Sequence, residues 1–175
     1  MSVEALTRPA VPCLLGAAEE RLLARIEDIP EGTRNAVLGL TCPAFPTKPF
    51  VTGAPLSARR VAIVTSAALH RRDTPPFPVG SPEMRLLPEG VPASELVMSH
   101  VSINFDRAGW QRDINTIYPV ERLHELVATG IVGAVAPSNY ALMGSTDPAP
   151  KEATAAQIVG QLQQERSDAV LLSPV

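Results

Sequence analysis

The stretch VAIVTSAALH at residues 61–70 begins with five residues, Val61 to Thr65, four of them β-branched, and turns polar only at its end, with Thr65, Ser66 and His70. A continuous apolar run of this kind suits a strand covered on both faces, which is the habit of parallel sheets. Working outward, LVMSHV at 96–101, IVGAVAP at 131–137 and DAVLLSPV at 168–175 are further strand candidates, and MRLLP at 84–88 is a shorter apolar piece. Between them the period changes to that of a helix. Over Ile117 to Gly130, Val120, Leu123, Leu126 and Val127 share one face, Pro119 suits a first turn and Gly130 a C-cap. Ala153 to Arg166 reads as a second helix with Ile158, Val159 and Leu162 inward, and Ala17 to Ile29 as an amphipathic helix stopped by Pro30 and Gly32. Two proline-rich passages, 41–57 and 74–82, oppose both helix and sheet interior.

Strands alternating with helices predict an α/β fold with a doubly wound, mostly parallel sheet. The final run is expected to be one more buried strand, yet no helix follows to cover it, so the sheet is expected to be incomplete at its C-terminus. Residues 1–58 then form a variable leader with one amphipathic helix and a proline-rich connector, and 59–175 the α/β domain with its C-terminal part missing. Ligands of such sheets gather beyond the carboxyl ends of the strands. That rule puts residues 65–70, 99–104, 137–144 and 173–175 along one site edge.

With 175 residues, 45% of them apolar, the chain is long enough for one core. A net charge of −3 offers no basic field for nucleic acid. No segment reaches the roughly 20 apolar residues that span a bilayer, and the N-terminus lacks the basic start of a signal peptide, so a cytoplasmic protein is expected. Cys13 and Cys42 match neither a CxxC pair nor a zinc set, and read as ordinary thiols. Motifs for dinucleotides, P-loops, zincins and serine hydrolases are absent from the sequence.

Three histidines carry most of the available chemistry. His124, among Glu121, Arg122 and Glu125, reads as a surface residue, and no metal site is expected. His70 follows a strand and precedes Arg71, Arg72 and Asp73, either as a loop residue or facing substrate. His100 opens SHVSINFDRAGWQRDIN at 99–115, a polar passage longer than a turn requires. Its arginines and aspartates suit the carboxylate and ammonium of a small amino acid. Alternatively Asp106 and Asp113 cap local turns and the arginines are surface residues. Tyr140, Met143 and Gly144 are placed to line the same cleft.

Taken together, VAIVTSAALH at 61–70, LVMSHVSINFDRAGWQRDINTIYPVERLHEL at 96–126 and VGAVAPSNYALMG at 132–144, followed by DAVLLSPV, resemble the glycine, sarcosine, betaine and D-proline reductase selenoprotein family. The likeness covers roughly residues 59–175. It implies a subunit that reductively cleaves a C–N bond of a small amino acid or N-substituted glycine, with a selenocysteine or cysteine as redox nucleophile. That residue is expected immediately after Val175, so that the chain as it stands is truncated just before it and lacks the nucleophile. The resemblance implies no cofactor bound by this chain, a pyruvoyl group on a partner subunit, a thiol or thioredoxin-type reductant, and an oligomer. It makes His70, His100 and Asp106 the candidates for proton transfer, and Asp113, Asn115, Arg71 and Met143 those for substrate binding. SINFDRAGWQ departs from the family's glycine-richer passage, which puts D-proline itself in doubt as substrate. The competing readings are a non-catalytic binding or regulatory subunit of the same fold, and a small racemase or lyase with Cys42 as nucleophile.

Overall fold

A computed structural model of the chain describes residues 26–39, 51–102 and 107–175. The chain divides into two compact units, Met1–Cys42 and Pro43–Val175. In the first, a 3-10 turn at Ile26–Asp28 precedes helix α1, Glu31–Leu38. Most of the helix expected over 17–29 lies outside the described residues. Pro30 and Gly32, read as its stop, stand at the start of α1: the Pro30 carbonyl accepts from Arg34 N at 2.9 Å. Proline favours that place because its missing N–H would have no helical partner there.

The second unit is an α/β domain. Its strands are β1 (Arg60–Thr65), β2 (Leu69–Arg71), β3 (Met84–Pro88), β4 (Leu96–Met98), β5 (Ala134–Val135), β6 (Ser138–Leu142) and β7 (Ala169–Ser173). Its helices are α2 (Ala108–Arg112), α3 (Val120–Ala128) and α4 (Glu152–Gln164). Strand β1 is central. It pairs in parallel with β7 from Val61↔Ala169 to Thr65↔Ser173 along one edge, and with β5 and β6 along the other. β3 adds an antiparallel strand beyond β6, and β2 and β4 form a separate antiparallel pair. The sheet is therefore mostly parallel rather than wholly so.

The pleat of β1 divides the core between two layers. Val61 and Ile63 pack with Ile117, Leu123 and Val132, while Ala62 packs with Tyr140, Ile158 and Leu162. Alternate residues of one strand thus meet α3 on one face and α4 on the other, the doubly wound arrangement. Burial of a side chain such as Ile63, fully enclosed, contributes on the order of 1.5–3 kcal/mol. Gly130, at φ +73°, ends α3 in the left-handed conformation that glycine adopts without strain. Among the described residues, no helix is long and apolar enough to cross a membrane.

Two expectations change. The strand foreseen over 131–137 is only two residues long, and the chain pairs again at Ser138–Leu142, where the sequence suggested a loop. Pro137, lacking an N–H, interrupts the ladder, and the Asn139 side chain fills the gap: its Oδ1 accepts from Ile63 N at 2.7 Å. The other change concerns β7. It pairs with β1 alone among the described residues, and Val170, Leu171 and Leu172 are 44%, 40% and 69% exposed, so the strand read as buried is an open edge.

Asn139 is fully buried, and replacing it strands the Ile63 N–H in the sheet interior. Asn139→Leu is expected to lower the unfolding free energy by about 1–3 kcal/mol in chemical denaturation, the penalty of an unsatisfied buried donor. Asn139→Asp, which keeps the acceptor oxygen but buries a carboxylate, should also be destabilised at neutral pH.

Candidate functional site

The carboxyl ends of β1 and β7 are joined by hydroxyl groups. Thr65 Oγ1 and Ser173 Oγ both donate to the carbonyl of Ile117, at 2.8 and 2.9 Å. One residue further on, Ser66 N donates to Ser173 O at 3.1 Å, and Ser66 Oγ accepts from Val175 N at 2.8 Å. Gly144 N donates to Ser66 O at 2.8 Å, so residue 66 binds both flanking segments at once.

His100 is buried against this junction. A methyl group at Gly144 would run into His100 Nε2 and stand 2.8 Å from Ser66 O, so glycine is what admits the imidazole there. His100 Nδ1 accepts from Ser102 N at 3.3 Å, which leaves the proton of the neutral ring on Nε2. Arg107 Nη2 donates to the His100 carbonyl at 2.8 Å. Burial, and then the Arg107 charge, hold His100 below its ordinary pKa, favouring the neutral ring. Beyond Gly144 the chain folds back: Thr146 Oγ1 donates to the Met143 and Gly144 carbonyls at 3.1 and 2.9 Å, and Lys151 Nζ also donates to the Met143 carbonyl. Burial pushes the Lys151 amine below its usual value.

His70 lies on β2, one residue pair from β4. Its Nδ1–H donates to the Arg71 carbonyl at 2.9 Å, so Nε2 accepts from Ser99 Oγ at 2.7 Å. The antiparallel pairing His70↔Val97 puts Ser99 two residues along the neighbouring strand, on the same face. Ser99 in turn precedes His100, so two of the segments singled out in the sequence meet at one serine. Ala68 and Ser145, beside these groups, hold positive φ angles of 53° and 51°, conformations that cost a non-glycine residue on the order of 1 kcal/mol or more.

The structure therefore sets His100 against Gly144, which stands beside Ser66 and Val175, and joins His70 to Ser99, the residue before His100. Other candidates are engaged elsewhere. Asp106 lies outside the described residues. Arg71 pairs with Asp73 and Glu95 at 3.0 and 3.7 Å, and both carboxylates raise its pKa. Asp113 Oδ1 accepts from Asn115 N and Nδ2 at 2.9 and 2.8 Å, bonds that lower its pKa. Asn115 bonds to Glu121 through both its amide nitrogen and its amide oxygen, at 2.9 and 3.1 Å, and so ties the turn to the start of α3. Asp113 thus caps a local turn, the alternative that the sequence left open for it. The Met143 side chain is fully buried in the core and offers only its carbonyl. Sequence reasoning missed Lys151, which lies outside all four edge segments. It named the Ser66 segment without seeing that Ser66 would hold residue 175. No group of three metal-binding side chains occurs among the described residues.

Fold and edge together define an α/β domain with a histidine- and hydroxyl-bearing cluster at the carboxyl ends of parallel strands. Compared with known proteins, the chain is 32% identical over 116 residues to D-proline reductase subunit gamma of Acetoanaerobium sticklandii, a match covering 65% of this chain and 47% of that protein. The chain thus spans about half the length of the curated relative it matches, and the likeness is to a subunit of a reductase. No protein-family model and no solved structure matches it.

His100 supplies a prediction with a definite sign. Its folded pKa is depressed from 6.5, so as pH falls below about 6.5 the unfolded chain takes up a proton that the folded chain refuses. The stability it contributes is full above that pH and is lost on acidification through the folded pKa. Denaturation midpoints measured from pH 7.5 to 5 should fall more steeply for the native chain than for His100→Gln; parallel curves would refute the assignment.

Proposed function

We propose that the chain is a subunit of a thiol- or selenol-dependent reductase that cleaves a C–N bond of a small amino acid or N-substituted glycine. The observation that carries this reading is the meeting of the three resembling segments at one edge, where Ser66 holds Val175 and His100 seats on Gly144. In this reading the redox nucleophile is a selenocysteine or cysteine following Val175, held over the carboxyl ends of β1 and β7 by the Ser66 hydroxyl. A nucleophile there attacks the α-carbon, the C–N bond breaks, and the departing nitrogen takes a proton. His100 and His70 are the groups of this chain proposed to hold or move that proton, His70 through Ser99, with Asp106 as a third candidate. The bond formed between sulfur or selenium and carbon is then cleaved by a second thiol, which leaves a disulfide or selenylsulfide for an external reductant. A pyruvoyl group on a partner subunit would activate the substrate amine, and the functional unit is accordingly an oligomer. Arg71, Asp113, Asn115 and Met143 have the weaker claim to bind substrate, because their side chains are committed to ion pairs, caps and core.

Sequencing the gene past the codon for Val175 tests the proposed nucleophile. An in-frame UGA or a cysteine codon followed by open frame is expected, and any other residue overturns it. In the assembled reductase, His100→Gln should lower kcat for C–N cleavage by roughly 10²–10⁴-fold, the scale of lost acid–base catalysis, with little change in KM. Undiminished turnover would remove His100 from the chemistry.

A further inference from the structure

At the opposite end of the sheet, where β1 and β7 begin, a cavity of about 340 Å³ is lined by Ser57, Arg59, Arg60, Gly133, Arg166 and Asp168, among others. We propose that it binds a small dianionic oxyanion, the phosphate group of a free phosphate or of a phosphate monoester.

The electrostatic argument comes first. Three arginines and one aspartate line the cavity, in a chain whose net charge is −3. The arginines are positioned by neutral acceptors: Arg59 Nε donates to the Ala54 carbonyl at 2.5 Å, and Arg60 Nη1 to the Glu165 carbonyl at 2.5 Å. Their charges are therefore oriented without being neutralised. The carboxylate of Asp168 is committed to a backbone group, accepting from Arg60 N at 2.9 Å. Arg166 forms no ion pair among the described residues. Two positive charges remain uncompensated around the cavity, matching a dianion, and guanidinium forks suit the oxygens of phosphate.

The backbone supplies a second, independent reason. Arg166 follows the last turn of α4, where its N–H donates to the Gln163 carbonyl at 3.1 Å and Ser167 N reaches back to Leu162 O at 2.8 Å. That position ordinarily takes glycine, because φ is positive; here φ is +55° on an arginine. An arginine kept where glycine would be relaxed points to a use for its side chain. A helix C-terminus does favour cations, but Arg60 already caps the Glu165 carbonyl. The wall opposite is close-packed: a methyl at Gly133 would stand 2.6 Å from Arg59 O and 2.9 Å from Ser57 O.

Titration of the purified chain with inorganic phosphate at constant ionic strength, followed by calorimetry and thermal shift, tests the site, with chloride as the control. Saturable binding by phosphate but not chloride is expected, weakened about tenfold or more in Arg166→Gln, the loss of a charge-assisted contact. Phenyl phosphate binding more tightly than phosphate would assign a monoester, and the reverse order the free ion. Arg166→Gly separates ligand binding from a purely structural role: it should raise the melting temperature without phosphate by relieving the left-handed strain, yet bind phosphate as weakly as Arg166→Gln. Phosphate behaving like chloride, or binding unaltered in both Arg166 variants, overturns the proposal.

Discussion

The carbonyl of Ile117 is where the domain is tied together. It receives the hydroxyls of Thr65 and Ser173, from the ends of two neighbouring parallel strands. A carbonyl has two lone pairs, and here both are used by residues 52 and 56 positions away. The arrangement fixes the height of the turn entering α3 above the sheet, and hence the depth at which Leu123 meets β1. It also disfavours a slip of β7 by one residue, which would turn Ser173 to the other face and leave a leucine where its hydroxyl is needed. An edge strand with exposed leucines has little burial of its own to hold register, so this polar contact does part of what packing does elsewhere.

The polar cluster grows out of that tie. With β1 and β7 level at their carboxyl ends, Ser66 stands one residue past Thr65 and reaches Val175, while its carbonyl takes Gly144 N. Glycine at 144 then leaves room for the His100 ring. Burial, and then the charge of Arg107, which donates to the His100 carbonyl, lower the pKa of the imidazole and favour its neutral form. Each group is thus positioned by the previous one, and the starting point is a hydroxyl at the end of β1.

Elements whose signal is local were legible in the sequence. β1 showed itself by β-branched continuity, α3 and α4 by period and by Gly130, and the site edge by the topology those elements imply. What failed depended on distant partners. Ser138 and Asn139 fell past the strand expected to end at Pro137, but they are buried in β6, one bonding Glu165 at 2.6 Å and the other repairing the gap at Pro137. AVLLS read as buried because apolarity records what a strand prefers, and says nothing about which neighbours supply cover. Asp113 matched either capping or binding from sequence alone, and its bonds to Asn115, which bonds in turn to Glu121, come from a fold the sequence does not spell out.

Backbone strain links the two ends of the sheet. Among the described residues, the non-glycine residues at positive φ are Ala68, Ser145 and Arg166. Two flank the histidine cluster and the third borders the arginine-lined cavity. Each conformation costs energy that a glycine would not incur, so the surrounding contacts must enforce it. At Ala68 they do: its N–H is held by Leu142 O at 2.8 Å and its carbonyl by Ser99 N at 3.1 Å, bonds that a relaxed backbone would lose. That pair locks the crossing from β1 into β2 and so sets His70 against Ser99. At Arg166 the helix-ending bonds enforce the same geometry without requiring an arginine side chain. The strain at Ala68 is thus accounted for by the fold, while the helix-ending bonds leave the choice of residue at 166 open, at the border of the arginine-lined cavity.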